Sequence, residues 1–185
     1  QGITEETTVD KDGNYVYYGN EDYYGTLIKD NTFVQDHNLS ISGNTEKLDY
    51  YISGRAYDYK GMYRYNTDKY QNYNTRAKAG LQVTDWLRIA NNIDFSYAKY
   101  WDPSTAGEGG NIWRNIADEG HPSSPIFNPD GSLSFTAAYT VGDFIYGKNG
   151  TKSGNQDLRN TTSFESKFFN NTFRVKGDLT FRSRD

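Results

Sequence analysis

The fold of this protein is decided by an alternating stretch near the end of the sequence, Thr172-Phe173-Arg174-Val175-Lys176-Gly177-Asp178-Leu179-Thr180-Phe181. Apart from Gly177, its odd positions are apolar, and all its even positions are polar or charged. Successive side chains of a β-strand point to opposite faces of the sheet. The stretch is therefore predicted to form a strand with one apolar face and one charged face.

Four earlier stretches alternate in the same way and predict four more strands. Together the five strands are predicted at about 33–43, 47–58, 70–83, 86–99 and 168–182. Two architectures are compatible with such strands. In a soluble β-sandwich the apolar face packs against a second sheet. In an outer-membrane β-barrel the apolar face meets lipid, and the charged face lines a water-filled lumen.

The lengths of the predicted connections favour the barrel. Short turns follow the first and third strands, whereas the longer connections 59–69 and 100–167 follow the second and fourth. Short periplasmic turns and long extracellular loops alternate in this way in outer-membrane barrels. We therefore predict an extracellular loop region over 1–32, four antiparallel transmembrane strands over 33–100, a long extracellular loop over 101–167 and a fifth transmembrane strand over 168–185. Because even a small closed barrel has about eight strands, five strands indicate part of a larger barrel.

The composition excludes several classes of function. The 185 residues include 24 acidic and 20 basic side chains, and this net charge of −4 gives no overall attraction for nucleic acid. The absence of cysteine rules out disulfides and thiol chemistry, and His37 and His121 are isolated in the sequence. No catalytic triad, phosphate-binding glycine loop or pair of carboxylates stands out. We therefore predict a protein that is not an enzyme and that binds no cofactor or metal.

One short motif leaves a metal site open as an alternative. The spacing of Asp10-Lys11-Asp12-Gly13 is similar to the start of a calcium-binding loop, and Glu21 stands at the twelfth position. However, Gly13 comes one position early, and no helical pattern flanks the motif. The sequence favours a hairpin turn centred on 10–14.

Three motifs resemble the first barrel strands of the SusC/RagA-type TonB-dependent transporters. They are Asp22-Tyr23-Tyr24-Gly25-Thr26-Leu27-Ile28, Gln35-Asp36-His37-Asn38-Leu39-Ser40-Ile41-Ser42-Gly43 and Thr45-Glu46-Lys47-Leu48-Asp49-Tyr50-Tyr51-Ile52-Ser53-Gly54. The segments 65–68, 83–87 and 125–132 are similar to later strands and loops of that family. The resemblance runs through most of the chain and is strongest over 22–100.

This resemblance implies a barrel of about 22 strands in the outer membrane of a Gram-negative bacterium. It also implies an N-terminal plug, energy supplied through TonB, and a SusD-like surface lipoprotein that acts as a lid. The implied cargo is an oligosaccharide or an oligopeptide. Neither a plug nor a TonB box is recognisable in these residues. The expected partners are therefore the remainder of the same barrel and its plug, TonB through the missing N-terminal part, the lipoprotein and membrane lipid.

Two sets of residues are candidates for function. The cations on the charged face could guide an anionic substrate; they are Arg55, Arg76, Lys78, Arg88, Arg174 and Lys176. Pairing with carboxylates such as Asp49, Asp94 and Asp178 is the favoured interpretation, since charges removed from water require partners. Aromatic residues of the long loop could stack on sugars, contact the lipoprotein or simply pack together; they are Trp113, Phe127, Tyr139, Phe144 and Tyr146.

Aromatic residues make up 16% of the chain, which is typical of β-rich proteins and of membrane interfaces. Trp86 and the cluster 97–101 stand at opposite ends of the fourth predicted strand, where a barrel carries its two aromatic girdles. Asn91 interrupts the apolar face of that strand. The alternative from a different class is a soluble, tyrosine-rich β-sandwich that binds glycans at the cell surface.

Overall fold

A computed structural model describes residues 7–104, 111–147, 149–170 and 172–185. Its strands are β1 (Thr7–Val9), β2 (Tyr15–Tyr17), β3 (Phe33–Asn44), β4 (Leu48–Lys60), β5 (Lys69–Thr84), β6 (Leu87–Pro103), β7 (Gly150–Phe168) and β8 (Phe173–Arg184). Its helices are α1 (Tyr23–Leu27), α2 (Ile112–Glu119), α3 (Phe135–Thr140) and α4 (Gly142–Ile145). Within these ranges no helix has both the length and the apolar character needed to cross a membrane.

The chain divides into two compact units, which we call the sheet unit and the loop unit. The sheet unit comprises Val34–Tyr59, Tyr70–Tyr100 and Ser153–Asp185. The loop unit comprises Gln1–Phe33, Lys60–Lys69 and Trp101–Lys152. Short turns join β3 to β4, β5 to β6 and β7 to β8, whereas the loop unit contains the longer segments between β4 and β5 and between β6 and β7.

The sheet unit is one antiparallel sheet in which the strands follow their order in the sequence, from β3 to β8. This confirms the prediction of an all-β antiparallel fold. Between β7 and β8 the register places Thr162 opposite Leu179 and Glu165 opposite Lys176. Side chains of one parity therefore share a face across both strands, as the alternation in the sequence predicted. The sheet is not closed, because β3 and β8 each have one strand neighbour among the described residues.

The apolar face of the sheet is largely uncovered. Leu39 is 80% exposed, Leu179 is 76% exposed and Phe181 is 62% exposed. A soluble monomer rarely leaves so continuous an apolar surface in water. A β-sandwich requires a second sheet over this face, and the described part of the sheet unit contains one sheet only.

The predicted number of strands is wrong, since the sheet has six strands and not five. The segment 101–167, predicted as a single loop, contains the end of β6, three helices and nearly all of β7. The fifth predicted strand, 168–182, corresponds to β8, which begins at Phe173, whereas Phe168 ends β7. The first half of β7, residues 150–157, has no apolar residue and therefore lacks the period-two signal. Hydrogen bonds with the neighbouring backbones form a strand there without that signal.

The loop unit has its own apolar core. Leu27, Ile126, Val141 and Phe144 are fully buried, and residues of α1, α2 and α3 complete the cluster. The helices are short, and α1, α2 and α3 begin at side-chain caps. For example, the carboxylate of Asp22 accepts a hydrogen bond from the backbone of Gly25 at the start of α1. The segment 1–32, predicted as a loop region, thus contains a helix as well as the hairpin of β1 and β2.

Candidate functional site

The charged face of the sheet unit carries a positive excess. By strand parity its ten cations are Arg55, Arg76, Lys78, Arg88, Arg159, Lys167, Arg174, Lys176, Arg182 and Arg184, and its six carboxylates are Asp36, Asp49, Asp94, Asp157, Glu165 and Asp178. This face therefore has four more positive than negative charges, although the chain as a whole has a net charge of −4. The imbalance is a local property that the composition conceals.

Most of these charges form ion pairs across neighbouring strands. Arg55 pairs with Asp36 at 2.7 Å, and Arg76 pairs with Asp94. Glu165 accepts contacts from Arg174 at 3.3 Å and from Lys176 at 3.2 Å. These side chains are partly exposed in the open sheet, so water screens the pairs and they contribute little to stability.

One ion pair spans two strand spacings. Arg88 on β6 pairs with Asp49 on β4, and the bond passes over Gly80 on the intervening strand β5. A Cβ atom at position 80 would collide with the guanidinium of Arg88. The glycine therefore leaves room for the close approach of these two side chains, which would have to shift if a larger residue stood at position 80.

Five of the six cations chosen from the sequence have carboxylate partners, and Lys78 has no ion pair among the described residues. The anticipated partners were right for Asp49 and Asp94. Asp178 has no ion pair in the described part of the chain. The neighbouring cations Arg174 and Lys176 pair with Glu165 instead. Sequence reasoning missed four of the ten cations. It missed Arg159 and Lys167 because β7 was not predicted, and it missed Arg182 and Arg184 because they lie beyond the quoted stretch.

A depression of about 530 Å³ lies on the charged face. Residues of five strands, β3 to β7, line it. The polar side chains of its lining that belong to the charged face are Asn38, Ser40, Tyr51, Ser53, Arg55, Asn74, Arg76, Asp94, Ser96, Asp157 and Arg159. The lining thus combines amide and hydroxyl groups with three guanidinium groups and two carboxylates. Such a surface offers hydrogen-bond donors and acceptors to a polar ligand.

The aromatic residues predicted to contact substrate or a lid have different environments in the loop unit. Phe144 is fully buried, and its ring lies 5.1 Å from that of Tyr63, so it belongs to the core and cannot contact a partner. Phe127 packs against the same core. Trp113 is 38% exposed, Tyr146 is 67% exposed and Tyr139 is 74% exposed. These three rings remain accessible on the surface of the loop unit.

Rings also cluster near the ends of the long strands. Trp86 stacks on Phe168 with ring centres 5.9 Å apart, and Phe173 lies 6.2 Å from Phe168. These residues bring together the β5–β6 and β7–β8 turns. Farther along the sheet unit, the ring of Tyr70 lies 5.9 Å from Tyr57 and 6.5 Å from Tyr100. By strand parity these three tyrosines lie on the charged face with Arg55, so the cluster around Trp86 has the position of a lipid-facing girdle and the tyrosine cluster does not.

Asn91, which interrupts the apolar face, has polar neighbours on the adjacent strand. Its side-chain amide donates hydrogen bonds of 2.8 Å to Asn160 and to Thr162 on β7. The amide nitrogen is therefore satisfied by the protein itself. This environment explains how a polar residue is tolerated in the middle of an apolar surface.

The hairpin turn predicted at 10–14 is confirmed, because β1 pairs with β2 and places Val9 opposite Tyr15. The carboxylate of Asp10 accepts hydrogen bonds of 2.8 Å from the backbones of Asp12 and Asn14. These hydrogen bonds lower the pKa of Asp10. No group of three or more acidic or histidine residues with the spacing of a metal site occurs among the described residues. The carboxylate thus has a structural role in the turn.

A partly buried polar contact joins the segment that follows α1 to the connection between β4 and β5. The ammonium group of Lys29 donates hydrogen bonds to Thr67 at 2.9 Å and to the backbone of Gly61 at 3.4 Å. The Asp68 carboxylate packs directly against Gly61, where no Cβ atom would fit. One oxygen of Asp68 has no hydrogen-bond partner among the described residues. Burial raises the pKa of Asp68, and nearby Asp102 adds to this effect whereas Lys29 opposes it.

This raised pKa predicts a pH dependence for the loop unit. Folded Asp68 retains its proton at pH values where the unfolded residue, with an ordinary pKa of 3.8, has lost it. The contribution to stability is therefore complete below pH 3.8 and is lost as the pH rises through the folded pKa. Asp68→Asn should remove this loss. Hydrogen exchange of 60–69 in the full-length protein, measured from pH 4 to pH 8, should show a steeper decline in protection for wild type than for the variant.

The comparisons with known proteins agree with the sheet geometry. The chain is similar to a solved structure of the RagAB peptide importer in its "closed-closed" state, with a TM-score of 0.59 and 15% identity. The similarity covers 91% of this chain and 20% of the matched chain. At this level of identity it establishes a shared fold. No protein-family model matches the sequence, and no curated protein is significantly similar to it.

The chain therefore spans about a fifth of the length of the importer chain that it resembles. Nearly all of its residues take part in the similarity, so both the sheet unit and most of the loop unit have counterparts there. This similarity of fold agrees with the resemblance noted from the sequence motifs, although few residues are identical. What those motifs did not identify is the depression, because its lining depends on the register of five strands.

Proposed function

We propose that this chain forms part of a SusC-like, TonB-dependent outer-membrane transporter that imports oligopeptides or oligosaccharides together with a SusD-like surface lipoprotein. The observation that carries the proposal is the single open sheet, which has an exposed apolar face and an ion-paired charged face. An outer-membrane barrel requires both faces at once, because its outside contacts lipid and its inside contacts water.

The fold similarity to the RagAB peptide importer supports the same proposal independently. It also favours oligopeptides over oligosaccharides as cargo, since the matched protein is an importer of peptides. The depression agrees with such a cargo. Its amides, hydroxyls and guanidinium groups suit the regularly spaced polar groups of a peptide backbone.

The loop unit is proposed to contact the lipoprotein or the cargo. Trp113, Tyr139 and Tyr146 present exposed rings from the α2–α4 region. Aromatic residues of this kind are enriched at interfaces, since a large ring loses little conformational entropy when it is covered. Phe144 and Phe127 support this surface from beneath and do not form part of it.

Fractionation of the full-length protein from its native cells tests the proposal. We expect the protein in the outer membrane, dependent on detergent for solubility, and associated with a lipoprotein in an assembly much heavier than the 21.1 kDa of this chain. Cells that lack the protein should lose uptake of a labelled peptide mixture. A protein that stays folded and monomeric in plain buffer would contradict the proposal.

A further inference from the structure

We propose that the depression on the charged face binds a carboxylate group of the cargo through Arg159. The inference rests on the proposed function, because it takes this face as the wall of a transport lumen. It goes beyond that function by assigning a chemical group of the ligand to a named residue.

The guanidinium of Arg159 makes no close ion pair within 4 Å among the described residues, although the carboxylates of Asp94 and Asp157 attract it from a greater distance. Arg159 lines the depression on β7 and forms no ion pair among the described residues. The two nearby carboxylates are already engaged. Asp157 accepts hydrogen bonds from Arg182 and a contact from Arg184 at 3.6 Å. Asp94 pairs with Arg76 and accepts a hydrogen bond of 2.8 Å from Asn92.

The register between β7 and β8 places a second guanidinium group beside Arg159. Arg159 stands directly opposite Arg182, and like charges in directly opposed positions destabilise a sheet. Asp94 and Asp157 attract Arg159 but form their close ion pairs with Arg76, Arg182 and Arg184. Arg159 therefore keeps its hydrogen-bond donors available to an incoming anion, which would add to the partial compensation that the two carboxylates provide.

A carboxylate is the anion that the surroundings of Arg159 fit best. An arginine binds a carboxylate through two parallel hydrogen bonds, and this geometry gives both strength and selectivity. Hydroxyl and amide groups line the rest of the depression; they include Asn38, Ser40, Ser53, Asn74 and Ser96. Those groups can bind the peptide units next to a charged end. The cavity of about 530 Å³ holds a short peptide segment.

The chain offers a matched control for a test of Arg159. Lys78 is a cation on the same face that also has no ion pair in the described residues, but it does not line the depression. Arg159→Gln and Lys78→Gln therefore remove the same formal charge from the same face. Arg159→Lys is a third variant, which keeps the charge and removes the two-pronged geometry.

The experiment uses the full-length transporter with its lipoprotein, purified in detergent. The first two probes are a tryptic digest of one known protein, either untreated or with every carboxyl group methylated. The third probe is a set of synthetic peptides with the same sequences, amidated only at the C terminus. Retained peptides are quantified by mass spectrometry. We expect wild type and Lys78→Gln to retain untreated peptides about tenfold or more over methylated ones, which corresponds to about 1.4 kcal/mol. Arg159→Gln should lose this preference, and Arg159→Lys should keep part of it.

The amidated peptides distinguish the source of the carboxylate. If the amidated peptides are no longer retained, the bound group is the C-terminal carboxylate. If amidated peptides that contain Asp or Glu are still retained, the bound group is a side-chain carboxylate. The inference would be overturned if Arg159→Gln and Lys78→Gln lost the preference for untreated over methylated peptides equally. It would also be overturned if Arg159→Gln kept that preference unchanged. Retention of peptides by wild type without regard to methylation would also overturn it and leave the transporter function intact. Wild type that retains no peptide would contradict the import of peptides itself.

Discussion

Replacement of Leu179 by arginine is expected to prevent most of the full-length protein from assembling in the outer membrane. Leu179 lies near the middle of β8 on the apolar face and is 76% exposed. If that face contacts lipid, arginine there destabilises the barrel by about 2–4 kcal/mol near the bilayer midplane. The folded fraction in isolated outer membranes, read from the heat-dependent shift of the barrel on a gel, should fall severalfold.

The adjacent residue provides the control for this experiment. Thr180 points to the charged face, where its hydroxyl lies 3.0 Å from that of Thr161 on β7. Thr180→Arg introduces the same side chain at nearly the same depth, but into a water-filled lumen. We expect it to assemble as wild type does. Equal assembly of the Leu179 and Thr180 variants would mean that both faces contact water, and the lipid-facing role of the apolar face would be wrong.

Replacement of Phe144 by alanine is expected to unfold the loop unit locally. Phe144 is fully buried and packs edge-on against Tyr63, so its loss leaves a cavity among apolar side chains. Substitutions of this kind destabilise a core by about 3–5 kcal/mol. Hydrogen exchange of α1, α2 and α3 in the full-length protein should then be faster by about a hundredfold or more.

Phe135 is the matched control for Phe144, because it is also a phenylalanine of the loop unit but is 91% exposed. Phe135→Ala should change the free energy of local opening by no more than a few tenths of a kcal/mol, as is usual for surface positions. The same exchange rates should therefore stay close to those of wild type. If the two variants behaved alike, Phe144 would not belong to a packed core. Its earlier interpretation as a ligand-contacting residue would then regain support.

The sequence predicted the features that depend on local periodicity. The alternation in residues 74–83 and 172–181 identified β5 and β8, and it identified which side chains share a face. The turn at 10–14 was equally predictable, since Asp10 and Gly13 have the local chemistry of a hairpin. These features require information from only a few neighbouring residues.

The features that the sequence did not predict depend on contacts between distant segments. The polar half of β7 is a strand because it belongs to the sheet beside β6 and not because of its own pattern. The Arg88–Asp49 pair requires knowledge that Gly80 lies between the two residues in space. The burial of Phe144 depends on the packing of Tyr63 from a segment about eighty positions earlier. In each case tertiary structure outweighs local preference.

The most direct test of the central claim is a spin-label accessibility scan along β8 in the full-length protein, reconstituted in lipid vesicles. These 185 residues contain no cysteine, so single cysteines introduced from 173 to 184 give one label each within them. We predict that odd positions collide preferentially with oxygen, which concentrates in lipid, and that even positions collide with a water-soluble nickel complex. A period of two with this phase would establish that the apolar face meets lipid and the charged face meets water. High accessibility of both faces to the nickel complex would contradict the barrel and the transport function built on it.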